Sequence, residues 1–218
     1  MSQSFSSEDI NTLHSIIEAR RDVRSGFKNK AIPESVILKT LEAAHHAPSV
    51  GFMQPWNFLL INDSDKKKQV KDAFLLARDK ESKLFSGERA ELYDCLKLEG
   101  IEEAPLNILI TCQKDRNGET GLGRSIQDDM DIYSTVCAVQ NLWLAARVEG
   151  IGIGWVSIIE KSALREIFQL PENVEPVAYL CAGYVDNFSD KPELEKAGWQ
   201  ERLELDKLIF KNVWGMHD

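Results

Sequence analysis

The amino-acid sequence predicts an α+β fold, a sandwich in which helices flank a central mixed β-sheet. Three observations lead to it. Two helix-periodic segments come before the first strand-like run, an order that a doubly wound α/β fold does not have. The apolar runs with strand character are few and short, and helices separate them without strict βαβ alternation. No repeat, low-complexity tract or linker interrupts the 218 residues, so one domain accounts for the chain.

Ser6 and Ser7 offer an N-cap, with Glu8 and Asp9 in the first turn and Ile10, Leu13 and Ile17 on one helical face. That helix runs out in the basic segment Arg20 to Arg24. Pro33 and Glu34 open a second helix, striped by Ile37, Leu38, Leu41 and Ala44 and closed before Pro48. Phe58 to Ile61 reads as a short strand, followed by a charged helical stretch from Ser64 onward. Leu106 to Cys112 is a near-continuous apolar run and reads as a buried strand. Asp129 to Glu149 is the longest helix, with Val136, Val139, Trp143 and Ala146 spaced three or four apart and Gly150 as its C-cap. Ile151 to Val156 is a strand, Ser162 to Phe168 a short helix, and Val177 to Val185 another buried strand. From Pro192 to Gly215 charge mixes with Trp199, Leu205, Leu208, Ile209, Phe210 and Trp214. A tail this apolar covers either its own core or a second copy of the chain.

Hydrophobic residues make up 43% and charged residues 28%, an ordinary globular balance. A chain of this length buries roughly 70% of its unfolded surface, enough for a full core. The net charge of −9 argues against nonspecific binding to nucleic acid or anionic membrane, so an anionic ligand needs a local basic cluster. The start MSQSFSSEDI lacks a secretory pattern and no apolar window reaches membrane-spanning length, which predicts a cytoplasmic protein. Cys95, Cys112, Cys137 and Cys181 are scattered without a CxxC pair and read as reduced thiols, mostly packed in the core.

Four constellations carry chemical information. Arg20, Arg21 and Arg24 lie within five residues, and guanidinium forks grip phosphate oxygens; the plainer alternative is cations complementing a helix C-terminus. Asp22 among them is a poor phosphate ligand, so it either pairs with an arginine or accepts a proton from something else. Residues 47–56, APSVGFMQPW, form a loop of fixed path whose Phe, Met and Trp either line a flat pocket or anchor the core. Gly150, Gly152 and Gly154 lie at a helix end and within a strand, the wrong context for a dinucleotide fingerprint. They mark close approach of another backbone or a ligand, with Ser157 as a donor at the strand end. Adjacent His45 and His46 point about 100° apart on a helix and cannot share a metal ion.

Taken together, these segments resemble the nitroreductase-like flavoproteins. Their basic N-terminal segment matches Arg20 and Arg24, and their flavin loop matches Pro48, Ser49, Gln54, Pro55 and Trp56. Asp22 stands where that family usually has serine, and Phe52 where it usually has asparagine. With those departures, RRDVR (20–24), APSVGFMQPW (47–56), LKLEGIEEAP (96–105), YSTVCAVQNLWLAAR (133–147), EGIGIGWVSI (149–158) and PVAYLCAGYV (176–185) resemble its flavin-destroying branch, the 5,6-dimethylbenzimidazole synthases. AGW (197–199) and the terminal WG (214–215) extend the likeness over nearly the whole chain.

The resemblance implies that reduced FMN (FMNH₂) is the substrate and O₂ the co-substrate, with no metal. The products are 5,6-dimethylbenzimidazole, the lower ligand of cobalamin, and D-erythrose 4-phosphate. It implies catalytic roles for Asp22 and Ser157. It assigns FMN contacts to Arg20, Arg21, Asp22, Val23, Arg24, Ser49, Gln54, Leu98, Ser157 and Arg202. It also implies a homodimer with FMN at the subunit interface, a C-terminal arm over about residues 190–218, and a separate flavin reductase as supplier. Oxygen chemistry at reduced flavin needs water kept out. A lid is therefore expected over about residues 71–100, with Leu84, Phe85, Leu96 and Leu98 as apolar cover and Phe52 drying the loop side. Two alternatives stay open: an FMN-dependent NAD(P)H nitro- or quinone reductase, and a flavin-binding module without chemistry.

Overall fold

The computed structural model describes residues 4–116, 118 and 121–216. Along the chain, α1 (Ser7–Ala19) and α2 (Glu34–His45) precede β1 (Trp56–Ile61). Then come α3 (Ser64–Ser82), α4 (Glu88–Cys95), β2 (Leu106–Gln113), α5 (Met130–Val148) and β3 (Ile151–Val156). The chain ends through α6 (Lys161–Ile167), β4 (Val174–Tyr184) and a one-turn α7 (Glu193–Lys196). The start of α1 follows its sequence: the Ser6 hydroxyl accepts the Asp9 N–H while the Asp9 carboxylate accepts the Ser6 N–H, a capping box.

The four strands form one sheet in the order β1-β2-β4-β3, every ladder antiparallel. The parallel component expected of a mixed sheet is confined to a single bridge between Asp22 and Ile153. Side chains alternate across the pleat and build two cores. Ile108, Ile110, Leu180, Ala182, Ile151 and Ile153 pack with Ala44 of α2 and with Ala138, Val139, Leu142, Trp143 and Ala146 of α5. On the opposite face Leu109, Tyr179, Cys181 and Val156 pack with Val70 and Phe74 of α3 and Leu164 of α6. This is the helix–sheet–helix sandwich that the periodicities predict.

Differences from expectation have local causes. β4 starts at Val174, earlier than expected, because a bulge at Val177, opposite Ile110 and Thr111, lets the strand run on through Pro176, which cannot donate to a ladder. The charged sequence of α4 hides a helix whose one buried side chain is Tyr93. Cys112 and Cys181 are buried, and burial pushes their thiols up to about 11 and about 12; Cys95 and Cys137 are exposed, so the core accounts for only two of the four thiols. The stripe Ile10, Leu13 and Ile17 of α1 is exposed, and so are Val136 of α5 and the tail residues Leu205, Leu208, Ile209 and Trp214. These tail residues therefore do not cover the chain's own core.

Candidate active site

The segment after α1 is fixed from two sides. From α5, Arg147 Nε donates to the Ala19 carbonyl at 3.0 Å and Trp143 Nε1 to the Arg21 carbonyl at 3.1 Å. From β3, the Ile153 carbonyl accepts the Val23 N–H at 2.9 Å, and the Trp155 N–H donates to Asp22 Oδ1 at 2.9 Å. Glycine makes the second contact possible. A Cβ on Gly154 would stand 2.0 Å from the Val23 carbonyl oxygen, and one on Gly152 would stand 3.0 Å from Val23 Cγ2. The close approach signalled by the glycine string is that of the 20–24 backbone, and buried Val23 is its anchor.

Arg20, Arg21, Asp22 and Arg24 face Pro192, Glu193, Leu194 and Arg202 across a cavity of about 190 Å³. The four arginines have different tasks. Arg21 is committed to carbonyls, donating to Ser189 at 3.0 Å, Asp190 at 2.5 Å, Glu18 at 2.6 Å and Arg20 at 2.7 Å, and so ties the C-terminal segment down. Arg24 holds Asp22 through Nε at 2.8 Å and Nη2 at 2.6 Å, and reaches the Lys97 carbonyl at 3.4 Å. Arg20 lies over the Trp143 ring, 4.9 Å from its centroid, and makes no side-chain hydrogen bond among the described residues. Burial pushes its pKa below the ordinary arginine value; Asp22 opposes this, and Arg21 and Arg202 reinforce it. A desolvated guanidinium beside two other cations is an anion site by its chemistry, so these residues fit a phosphate group.

Asp22 therefore pairs with an arginine, the first of its two readings, and its other oxygen accepts the Trp155 N–H of β3. Ser157 lies two residues beyond Trp155, exposed and without a hydrogen-bond partner among the described residues. Leu98 is half-buried against the α3 core, next to the carbonyl that Arg24 reaches. Thus the structure gathers Arg20, Arg21, Asp22, Arg24 and Arg202 around one cavity and puts Leu98 and Ser157 on segments bonded to its members.

Ser49 and Gln54 are elsewhere. The Ser49 hydroxyl accepts the Gln54 N–H at 3.0 Å, which closes the loop upon itself. Gly51, Phe52 and Gln54 all have φ near +50°, a cluster of left-handed residues of the kind stored at ligand sites. Phe52 stands 78% exposed, so within one chain it dries nothing. The loop docks on α5 through the Val50 N–H to Ser134 Oγ at 3.0 Å, whereas the arginine cavity docks on it through Trp143. Those positions are nine residues apart, about 14 Å of helix rise.

Several contributors carried little signal in the sequence. Trp143 occupies a core stripe position yet also carries Arg20 on its ring. Arg116 clamps the loop by donating to the Gln54 carbonyl at 2.6 Å and the Trp56 carbonyl at 3.2 Å. Glu99, almost fully buried, pairs with Lys71 and accepts the Ile101 N–H at 2.8 Å, which pins the segment bearing Lys97 and Leu98. In the 71–100 region Phe74 and Leu96 are buried, whereas Leu84 is 80% exposed and Phe85 half-exposed. Since α3 runs to Ser82 and is committed to the core through Phe74, only the part after it, residues 83–98, remains a candidate for the expected lid. Among the described residues no group of three or more His, Cys, Asp or Glu is placed to hold a metal ion, and no helix is long and apolar enough to cross a membrane.

Residues 17–184 match the model of the Nitroreductase family. The chain is 37% identical over 190 residues to a 5,6-dimethylbenzimidazole synthase of Rhodospirillum rubrum, covering 87% of this chain and 90% of that one. It is 37% identical over 191 residues to a 5,6-dimethylbenzimidazole synthase of Rhodobacter capsulatus, covering 88% and 92%. In structure it is similar to an oxidised iodotyrosine deiodinase bound to FMN and 3-iodo-L-tyrosine. That match has a TM-score of 0.73 and 21% identity, and it covers 93% of this chain and all of that one.

Proposed function

The chain belongs to the nitroreductase family, in the group of the 5,6-dimethylbenzimidazole synthases, and we propose that it performs their reaction, the O₂-dependent fragmentation of FMNH₂ to 5,6-dimethylbenzimidazole and D-erythrose 4-phosphate. The observation that carries this reading is Asp22. A protein that only needed to hold a flavin phosphate gains nothing from a carboxylate among its arginines, since the acid repels the anion. Here it is held in place by the Trp155 N–H and by Arg24.

Reduced FMN supplies both the atoms of the products and the electrons that O₂ takes up. Arg20 and Arg202 bind its phosphate, and Arg24 shares that work while holding Asp22. Asp22 takes a proton as the ribityl chain is cleaved, and the exposed Ser157 hydroxyl donates a hydrogen bond to the reacting end of the flavin. Segment 83–98 and Leu98 keep water from that end.

The working unit is a homodimer. Ser49 and Gln54 lie about 14 Å along α5 from the arginine cavity, and α1, α5 and the tail leave apolar side chains uncovered. A second copy completes the site if it brings its own loop to this cavity. FMNH₂ comes from a separate flavin reductase.

Asp22→Asn tests the proton-transfer role. The variant is expected to bind FMN and yield no dimethylbenzimidazole; near-normal product formation would remove Asp22 from the chemistry.

A further inference from the structure

The stretch from Pro192 to Arg202 is a rigid turn with two faces. The Leu194 carbonyl accepts the Trp199 N–H at 2.8 Å, and the Glu195 carbonyl accepts the Gly198 N–H at 3.1 Å. With Gly198 at φ 74°, this is a Schellman motif, which fixes Trp199 relative to Leu194. One face of the turn, Pro192, Glu193 and Leu194, walls the arginine cavity, and three residues past Trp199 the chain returns to it with Arg202.

The other face sits on α4. The Trp199 ring meets Phe85 edge-on at 5.3 Å between centroids and lies 6.1 Å from Tyr93. Arg89 covers the same ring at 3.4 Å and donates to the Trp199 carbonyl at 2.7 Å. This platform is itself anchored, because buried Tyr93 donates to Glu81 of α3 at 2.6 Å.

Arg202 contrasts with its surroundings. It is exposed and makes no hydrogen bond or ion pair among the described residues. Ordering a free arginine on a ligand costs rotamer entropy, and more if its backbone also wanders. The Trp199 dock, three residues before Arg202, lowers the backbone part of that cost by anchoring the chain that leads to it.

We propose that Arg89 and Trp199 are positioning residues that aim Arg202 into the arginine cavity and thereby set the preference for a phosphorylated flavin over its dephosphorylated form. This rests on reading the cavity as the phosphate site. The same dock ties the phosphate wall to the segment proposed as the lid, so phosphate capture and cover of the ring share one support.

The test is titration of the full-length protein with oxidised FMN and with riboflavin, followed by flavin fluorescence, for wild type, Arg202→Ala, Arg89→Ala, Trp199→Ala and Trp199→Phe. Arg202→Ala should lose about ten- to hundredfold in FMN affinity, the worth of a charge-assisted contact, with riboflavin unchanged. Arg89→Ala and Trp199→Ala should lose FMN affinity in the same selective way, and Trp199→Phe should retain most of it. The double variant Arg89→Ala with Arg202→Ala should be no worse than Arg202→Ala alone. If Arg202→Ala leaves the FMN-to-riboflavin ratio unchanged, the phosphate reading falls and this inference with it. If Arg202→Ala shifts the ratio but Arg89→Ala and Trp199→Ala keep it, or lower both affinities alike, the inference alone is overturned.

Discussion

Asp22 shows how one side chain acquires its setting. Its position is dictated by α5 holding the carbonyls before it and β3 holding the amide after it, and its carboxylate is aimed by the Trp155 N–H and by Arg24. Glu99 is the second acid of consequence. Burial alone would raise its pKa, but the Lys71 ammonium, the Ile101 N–H and the charge of Lys97 outweigh it and hold the carboxyl below its ordinary 4.5. A depressed carboxylate stabilises the fold above its unfolded pKa, and that contribution is lost as pH falls through the folded value. Glu99→Gln should therefore cost about 1–3 kcal/mol in urea unfolding at pH 7. The gap to wild type should narrow as the pH falls below 4.5 and close through the lowered folded value. A gap of the same size at both ends would mean that the charge is not what holds the 96–101 segment. Asp22 was legible in the sequence because an acid among arginines contradicts phosphate binding; Glu99 was not, since its lysines come from 28 and two positions away and only folding makes them neighbours.

Among the elements, β3 matters most for the site. Its glycines were legible as a place of close approach, and the identity of what approaches, the backbone of residues 22 and 23, needed the fold. Gly154→Ala puts a methyl group against the Val23 carbonyl, so one of the two backbones must move. A loss of about 1–3 kcal/mol in stability is expected, the usual range for overpacking. Weaker FMN binding should accompany it because Asp22 and Arg24 shift. An alanine variant with wild-type stability and affinity would show that the 20–24 segment is not seated on β3. The helices α1, α2 and α5 were readable from caps and periodicity, whereas α4 was not. Its sequence, ERAELYDC, carries no stripe, because it packs through Tyr93 and the Trp199 ring of the C-terminal turn instead of through a face of its own.

For the whole molecule, the sequence left open whether the apolar tail covers its own chain or a copy. Trp199 docks on Phe85 and Tyr93 of its own chain, whereas Leu205, Leu208, Ile209 and Trp214 and the outer faces of α1 and α5 stay exposed among the described residues, which favours the second for the rest of the tail. Light scattering should find a dimer, with two flavins bound per dimer at saturation. A monomer that binds flavin with full affinity would end the composite-site account, since Ser49 and Gln54 would then have no way to reach the phosphate side. The fold needed only binary patterning, and the choice between keeping a flavin and consuming it needed Asp22, Phe52 and Ser157. The most direct measurement incubates the purified protein with chemically reduced FMN in air and quantifies flavin and products by chromatography. Consumption of the flavin with dimethylbenzimidazole and erythrose 4-phosphate formed one for one is the predicted result. Full recovery of the flavin as oxidised FMN with no dimethylbenzimidazole, alongside steady oxidation of added NADH, would contradict it and make this chain a reductase.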